Sequence, residues 1–185
     1  MRTPNLLTCG AVAVGLALMS APATAQTHNQ SDVTGPNVTS SAIAGVGTVA
    51  AEASPAVAAA VATAGTAVTA QLSSGTLSAT TPDGATVTIP PAVQGALAGI
   101  LAGGAAPPEF VAGLAAGGAG SASELVEALA TLVSSPATGQ FAAAVGHFNA
   151  LVVGADPAFL ASPTPEFLAV HSVLSQLVAA GRGAG

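Results

Sequence analysis

The chain has 185 residues, 51% of them hydrophobic and only 5% charged, with two basic and eight acidic side chains and a formal charge of −6. Ordinary soluble domains carry roughly 25% charged residues, so this surface has little ionic repulsion to hold neighbours apart. Two arginines and no lysine cannot form the clustered cations that displace counterions from nucleic acid, and anionic lipid headgroups are disfavoured for the same reason.

At the N-terminus, Met1-Arg2 gives a short positive start, Leu6 to Met19 form an uncharged apolar run, and Pro22 precedes the small residues Ala23-Thr24-Ala25. That order predicts a cleavable, bacterial-looking signal peptide over 1–25, cut before Gln26. The run is about 14 residues, short of the roughly 20 that a bilayer span needs. Cys9, the single cysteine, stands early in this run, ahead of its apolar core instead of following it, which argues against a lipid anchor, and it leaves with the signal. The exported chain, periplasmic or extracellular, then carries Arg182 alone against eight acids, a formal charge of −7. With no disulfide available, its fold is held by burial in an oxidising compartment.

Residues 26–40 are polar and aperiodic and contain Gly35-Pro36; they predict a flexible leader, which we extend over 26–54. Within it, the spacing of Ile43, Val46 and Ala50 suggests a turn or two of helix. Ser54-Pro55 opens a clearer helical run with Val57, Val61, Ala64, Val68 and Leu72, closed by Ser73-Ser74-Gly75. Proline suits the first helical position and glycine the left-handed cap. Over 76–90 the period changes to two: Leu77, Ala79 and Thr81 alternate with Ser78 and Thr80. After the turn Pro82-Asp83-Gly84, Ala85, Val87 and Ile89 alternate with Thr86 and Thr88. This predicts a β-hairpin, and a lone hairpin is marginal in water, so it must pack on helices or pair with another chain.

From Pro91 the pattern is helical. Two short Ala/Gly helices, 91–103 and 108–117, flank Gly103-Gly104 and Pro107-Pro108. Ser121-Ala122-Ser123-Glu124 is a capping-box pattern, and its helix places Leu125, Val126, Leu129, Leu132 and Val133 opposite Glu124, Glu127, Thr131 and Ser134. Ser135-Pro136 starts a helix striped by Phe141, Val145, Phe148 and Val152 and stopped at Gly154. Asp156-Pro157 and Thr164-Pro165 start two more, the last carrying Phe167, Val170, Leu174, Leu177 and Val178 before fraying at Gly181. Phe141, Phe148, Phe159 and Phe167 are the expected large anchors. The fold class is therefore α+β and mostly α. A disordered N-terminal leader precedes one hairpin (about 76–90) and a bundle of short helices (about 91–181), in a single domain over 55–181 with a tail at 182–185.

The strongest short motif is Gly95-x-x-x-Gly99-x-x-x-Gly103, followed by Gly113-x-x-x-Gly117. Glycines four apart line one helix face and admit another backbone, so these five residues are a candidate helix-packing or association face. A glycine-rich composition also generates such spacing. Pro107-Pro108 and Glu109 interrupt the surrounding run, and no membrane span is expected in the mature chain. His147 and His171 lie on different helices without His-x-x-x-His or Glu-x-x-His spacing, and His28 sits in the leader, so no metal site is expected. Glu124 and Glu127 read as solvated charges near a helix N-terminus. No Gly-x-Ser-x-Gly and no Gly-Lys-Ser/Thr occurs, and neither a catalytic nor a cofactor-binding residue is assigned. What remains is a non-enzymatic envelope or secreted protein acting through self-association or contact with an envelope protein. The alternative is a carrier of an apolar small molecule or lipid. An enzyme would require His147 or His171 beside Asp156, Glu124 or Glu166 in a cleft.

Overall fold

A computed structural model describes residues 42–48, 54–118, 120–134 and 138–184. The expected signal peptide, residues 26–41 of the leader and the Ser135-Pro136 helix start lie outside them. In chain order the described elements are α1 (Pro55–Ser74), β1 (Ser78–Thr80), β2 (Thr86–Thr88), α2 (Pro91–Leu101), α3 (Pro108–Ala115), α4 (Ala122–Ser134), α5 (Thr138–Gly154), α6 (Pro157–Ala161) and α7 (Pro165–Gly183). The described residues are mostly α, with one small antiparallel sheet.

Proline opens α1, α2, α3, α6 and α7, where its missing N–H would have had no partner in any case. Ser54, Asp156 and Thr164 cap three of these helices, their side-chain oxygens accepting the N–H groups of Val57, Ala158 and Phe167. The left-handed Gly75 (φ 68°) ends α1, a backbone state glycine reaches without steric penalty. Helices α2 and α3 stop two residues short of their expected ends, at Leu101 and Ala115, and the chain then turns at left-handed Gly103 and Gly118. Helix α7 instead runs past the expected fray at Gly181 and takes in Arg182 and Gly183, because Gly181 is buried and still part of the packed face.

In the hairpin, Ser78 pairs with Thr88, Ala79 with Val87 and Thr80 with Thr86. The turn closes through the Thr81 N–H donating to the Ala85 carbonyl and the Gly84 N–H donating to that of Thr81. Leu77, Ala79 and Ile89 are buried while Ser78, Thr80, Thr86 and Thr88 face out, the alternation of a half-buried sheet. The sheet lies on α7, where the Ser172 hydroxyl donates to the Ser78 carbonyl at 2.8 Å.

One buried polar side chain joins these parts. Gln94, on α2, is 1% exposed. Its Oε1 accepts the Leu77 N–H at 3.1 Å, and its Nε2 reaches the carbonyls of Ile89 (2.6 Å), Gly75 (3.1 Å) and Leu77 (3.4 Å). It thereby satisfies backbone groups at the end of α1 and at both ends of the hairpin, groups that would be costly to bury unpaired.

Helix α7 is the centre of the core. Phe167 to Val170, Val173, Leu174, Leu177 and Val178 are all buried, and α1, α2, α3 and β1 pack against the helix. Gln71 of α1 and Gln176 of α7 exchange amide hydrogen bonds across that contact. Phe148 of α5 lies 4.9 Å from Phe167 ring to ring, and Phe159 meets Phe167 edge-on at 5.1 Å. Phe110 is as deeply buried as Phe148 and Phe167, whereas Phe159 is only partly covered; the expected anchor set omitted the first. Each such side chain contributes roughly 1.5–3 kcal/mol of transfer free energy.

Residues 42–48 are not helical. They run without regular structure, bury Ile43 and Val46 in the same core, and are tied by the Ile43 N–H to the Leu160 carbonyl at 3.0 Å. Two apolar side chains three apart serve an irregular strip as well as a helix turn, and two glycines in five residues (Gly45, Gly47) disfavour the helix. This part of the stretch read as leader therefore lies against the folded domain.

Candidate functional site

An open groove of about 430 Å³ lies between the 42–48 strip, the hairpin turn at Thr80–Pro82 and one face of α7. The α7 wall is built from His171, Ser175, Val178, Ala179 and Arg182, residues three and four apart that a helix stacks on one side. The strip can lie close to that wall because of its glycines. A Cβ on Gly47 would collide with the Arg182 guanidinium, and one on Gly45 would stand 2.7 Å from Asn149 Oδ1. Asn149 Oδ1 is itself buried without a hydrogen-bond partner.

His171 is half-buried, its ring 5.8 Å from that of Phe148. Burial holds its pKa below the ordinary histidine value and so favours the neutral ring, while a hydrogen-bonding contact with the Ala44 backbone acts the other way as the smaller influence. At the far end of the wall, Arg182 is exposed. Among the described residues its guanidinium has neither a hydrogen bond nor an ion pair.

Among the described residues no acid lines the groove. Asp156 caps α6, and the Glu166 carboxylate sits over Gly113. Glu124 and Glu127 are exposed on α4. Among the described residues, none of Asp156, Glu124 and Glu166 lines the groove beside His171. Among the described residues no three His, Cys, Asp or Glu side chains come together.

The five motif glycines divide into two groups. Gly95 and Gly99 are exposed on α2 with open space where a Cβ would stand. Gly103 lies beyond the helix in the left-handed region (φ 82°), where it serves a turn. Gly113 and Gly117 are covered from within the chain. Gly113 accepts the Thr164 hydroxyl at 2.8 Å on its carbonyl. Gly117 accepts the Asp156 N–H at 2.9 Å and lies under the Phe159 ring, 2.7 Å from where a Cβ would be. These two glycines let the starts of α6 and α7 dock on the end of α3. Four-residue spacing alone carried no information about which group would be covered.

The outward side of α1 has an unusual chemistry. Its 20 residues include no ionisable side chain, and it is, among the described residues, long and apolar enough to cross a membrane, a property the sequence reading had not assigned to it. Only 17% of its most apolar stretch is buried. The hydroxyls of Thr63, Thr66, Thr69 and Ser73 all donate to carbonyls four residues back, at 2.8–3.1 Å. A hydroxyl turned back on its own helix leaves the surface to methyl groups and alanine. No protein-family model, curated protein or solved structure matches this chain.

Proposed function

We propose that this is an exported, non-enzymatic protein of the cell envelope or its surroundings, and that it acts by association with copies of itself through the outward sides of α1 and α2. The observation that carries this reading is the segregation of charge. Neither α1 nor α2 contains an ionisable residue, while the described acids lie on the hairpin turn, α3, α4, α6 and α7. Two copies of a chain with a mature charge of −7 repel one another unless they meet where charge is absent. Ala59, Thr63, Thr66 and Ala70 are exposed along one stripe of α1, and Ala92, Gly95 and Gly99 are exposed on α2. Small side chains permit close backbone approach, and hydroxyls already bonded internally lose little when water leaves. The same stripe lacks the Leu, Phe or Trp by which an interfacial helix sinks into lipid, which favours a protein partner over a bilayer.

Sedimentation velocity on the chain from Gln26 onward, across a hundredfold dilution series, tests the reading. The parent sediments as an oligomer that dissociates on dilution. Ala59→Glu and Thr66→Glu, which place like charges across any symmetric contact, shift it to monomer while leaving far-UV circular dichroism unchanged. A parent that is monomeric at every concentration, or flotation with neutral vesicles that the same substitutions abolish, overturns self-association.

A further inference from the structure

The groove on α7 shares no residue with α1 or α2, and its chemistry is different from theirs. Its volume of about 430 Å³ falls within the roughly 300–1,000 Å³ typical of small-molecule sites. Its polar and apolar parts are ordered along the helix. Arg182 stands at one end and His171 at the other, eleven residues apart, which is roughly 16 Å along a helix axis. Val178 lies between them on the α7 wall, and Ile43 and Val46 contribute from the strip opposite.

Arg182 is the only basic residue in the chain after the expected signal peptide. An exposed guanidinium in so acidic a protein would ordinarily find a carboxylate, and eight are available, yet Arg182 has none among the described residues. It is held instead against Gly47, whose missing side chain is what allows that position. A planar guanidinium matches a carboxylate in two parallel hydrogen bonds. A single cation in an otherwise negative protein suits a monoanion better than a phosphate dianion.

We propose that the groove binds a small organic carboxylate with an apolar body, the acid group paired with Arg182 and the body lying over Val178, Ile43 and Val46 toward His171. Ser175 and Thr80 flank this path and offer hydroxyls to any polar group along it. The site is independent of the association reading, so either can fail alone.

The test is a two-dimensional amide NMR titration of the chain from Gln26 onward with sodium octanoate below its micelle concentration. Methyl octanoate, acetate and inorganic phosphate are titrated in parallel. Octanoate is expected to bind at submillimolar concentration, with shifts confined to 42–48, 80–82 and 171–182. Methyl octanoate, which lacks the charge, and acetate, which lacks the body, bind at least tenfold more weakly. Arg182→Gln weakens octanoate at least tenfold. Gly47→Val does the same while keeping the arginine, because the new side chain displaces the guanidinium. Octanoate shifts spread over α1 and α2, equal binding of acid and ester, phosphate binding as tight as octanoate, or octanoate affinity unchanged in both variants would each overturn the proposal.

Discussion

Replacing Gln94 is the sharpest test of how the hairpin is held. In Gln94→Leu the volume is nearly kept and the buried amide is lost. The Leu77 N–H loses its acceptor, and the Ile89 carbonyl loses its 2.6 Å donor. The Leu77 carbonyl keeps the Ile89 N–H at 3.0 Å, and the Gly75 carbonyl is only part-buried, so two groups, not four, are stranded. At about 1–3 kcal/mol for each buried group left unpaired, partly offset by the better transfer of leucine, the expected loss is about 2–4 kcal/mol. That is a large share of the roughly 5–15 kcal/mol that holds a typical domain, and it lowers Tm by about 10 °C. Gln94→Glu separates hydrogen bonding from packing. An ionised carboxylate cannot donate, and it would face the carbonyls of Gly75, Leu77 and Ile89, so its folded-state pKa is raised above the unfolded value. Its stability is therefore best at low pH and is lost as pH rises through that raised value. The chain has no Trp or Tyr, so urea unfolding is followed by circular dichroism at 222 nm. Gln94→Leu within about 0.5 kcal/mol of the parent, the range of ordinary surface changes, would refute the reasoning. So would a Gln94→Glu profile that does not improve between pH 8 and pH 5 relative to the parent.

The other expectations concern neighbouring features. Gly99→Ala, with open space for its Cβ, stabilises the monomer by about 0.4–1 kcal/mol through the unfolded chain and helix propensity. Gly117→Ala drives a Cβ into Phe159 and Ala155 and costs about 1–3 kcal/mol; thermal melts of the two should move in opposite directions. Leu129→Ala, at a fully buried α4 position, costs about 2–5 kcal/mol in urea titrations, and a smaller loss would mean that α4 is not seated in the core. For His171 the folded pKa is depressed by burial. Its contribution is complete above the ordinary histidine pKa and is lost as pH falls from there toward the folded value. The urea midpoint of the parent should thus drop between pH 7.5 and pH 5 by more than that of His171→Gln, and parallel profiles would count against a buried neutral ring.

Much of this architecture is legible in the sequence because its punctuation is local. Pro55, Pro91, Pro108, Pro157 and Pro165 begin helices for a reason internal to each first turn, and the Thr-rich alternation on either side of Pro82-Asp83-Gly84 fixes the hairpin. The relations between elements are not legible in that way. Nothing in the spacing of Gly95, Gly99, Gly113 and Gly117 tells which face meets water, since glycine has no side chain whose polarity would declare it. Gln94 reads as one polar residue on an alanine helix; its burial follows only once the backbone ends of two other elements converge on it. Ile43 and Val46 are as consistent with helix as with an irregular strip, and the partner that decides, the wall containing His171 and Arg182, is more than a hundred residues away in sequence. The groove is invisible from the chain alone for the same reason, although the solitary arginine was in plain view.

The 42–48 strip gives the domain a mechanical order. It is fastened by two apolar side chains, the Ile43–Leu160 hydrogen bond and the contact of His171 with the Ala44 backbone, far less than secures any of the long helices, so it belongs with the segments that open first. Among the described residues it also lies nearest the N-terminus. Tension applied from upstream would reach it before α1 and peel it from α7, removing one wall of the groove while the helices stay folded. A pull at one end of the molecule would thus empty a pocket beside the other.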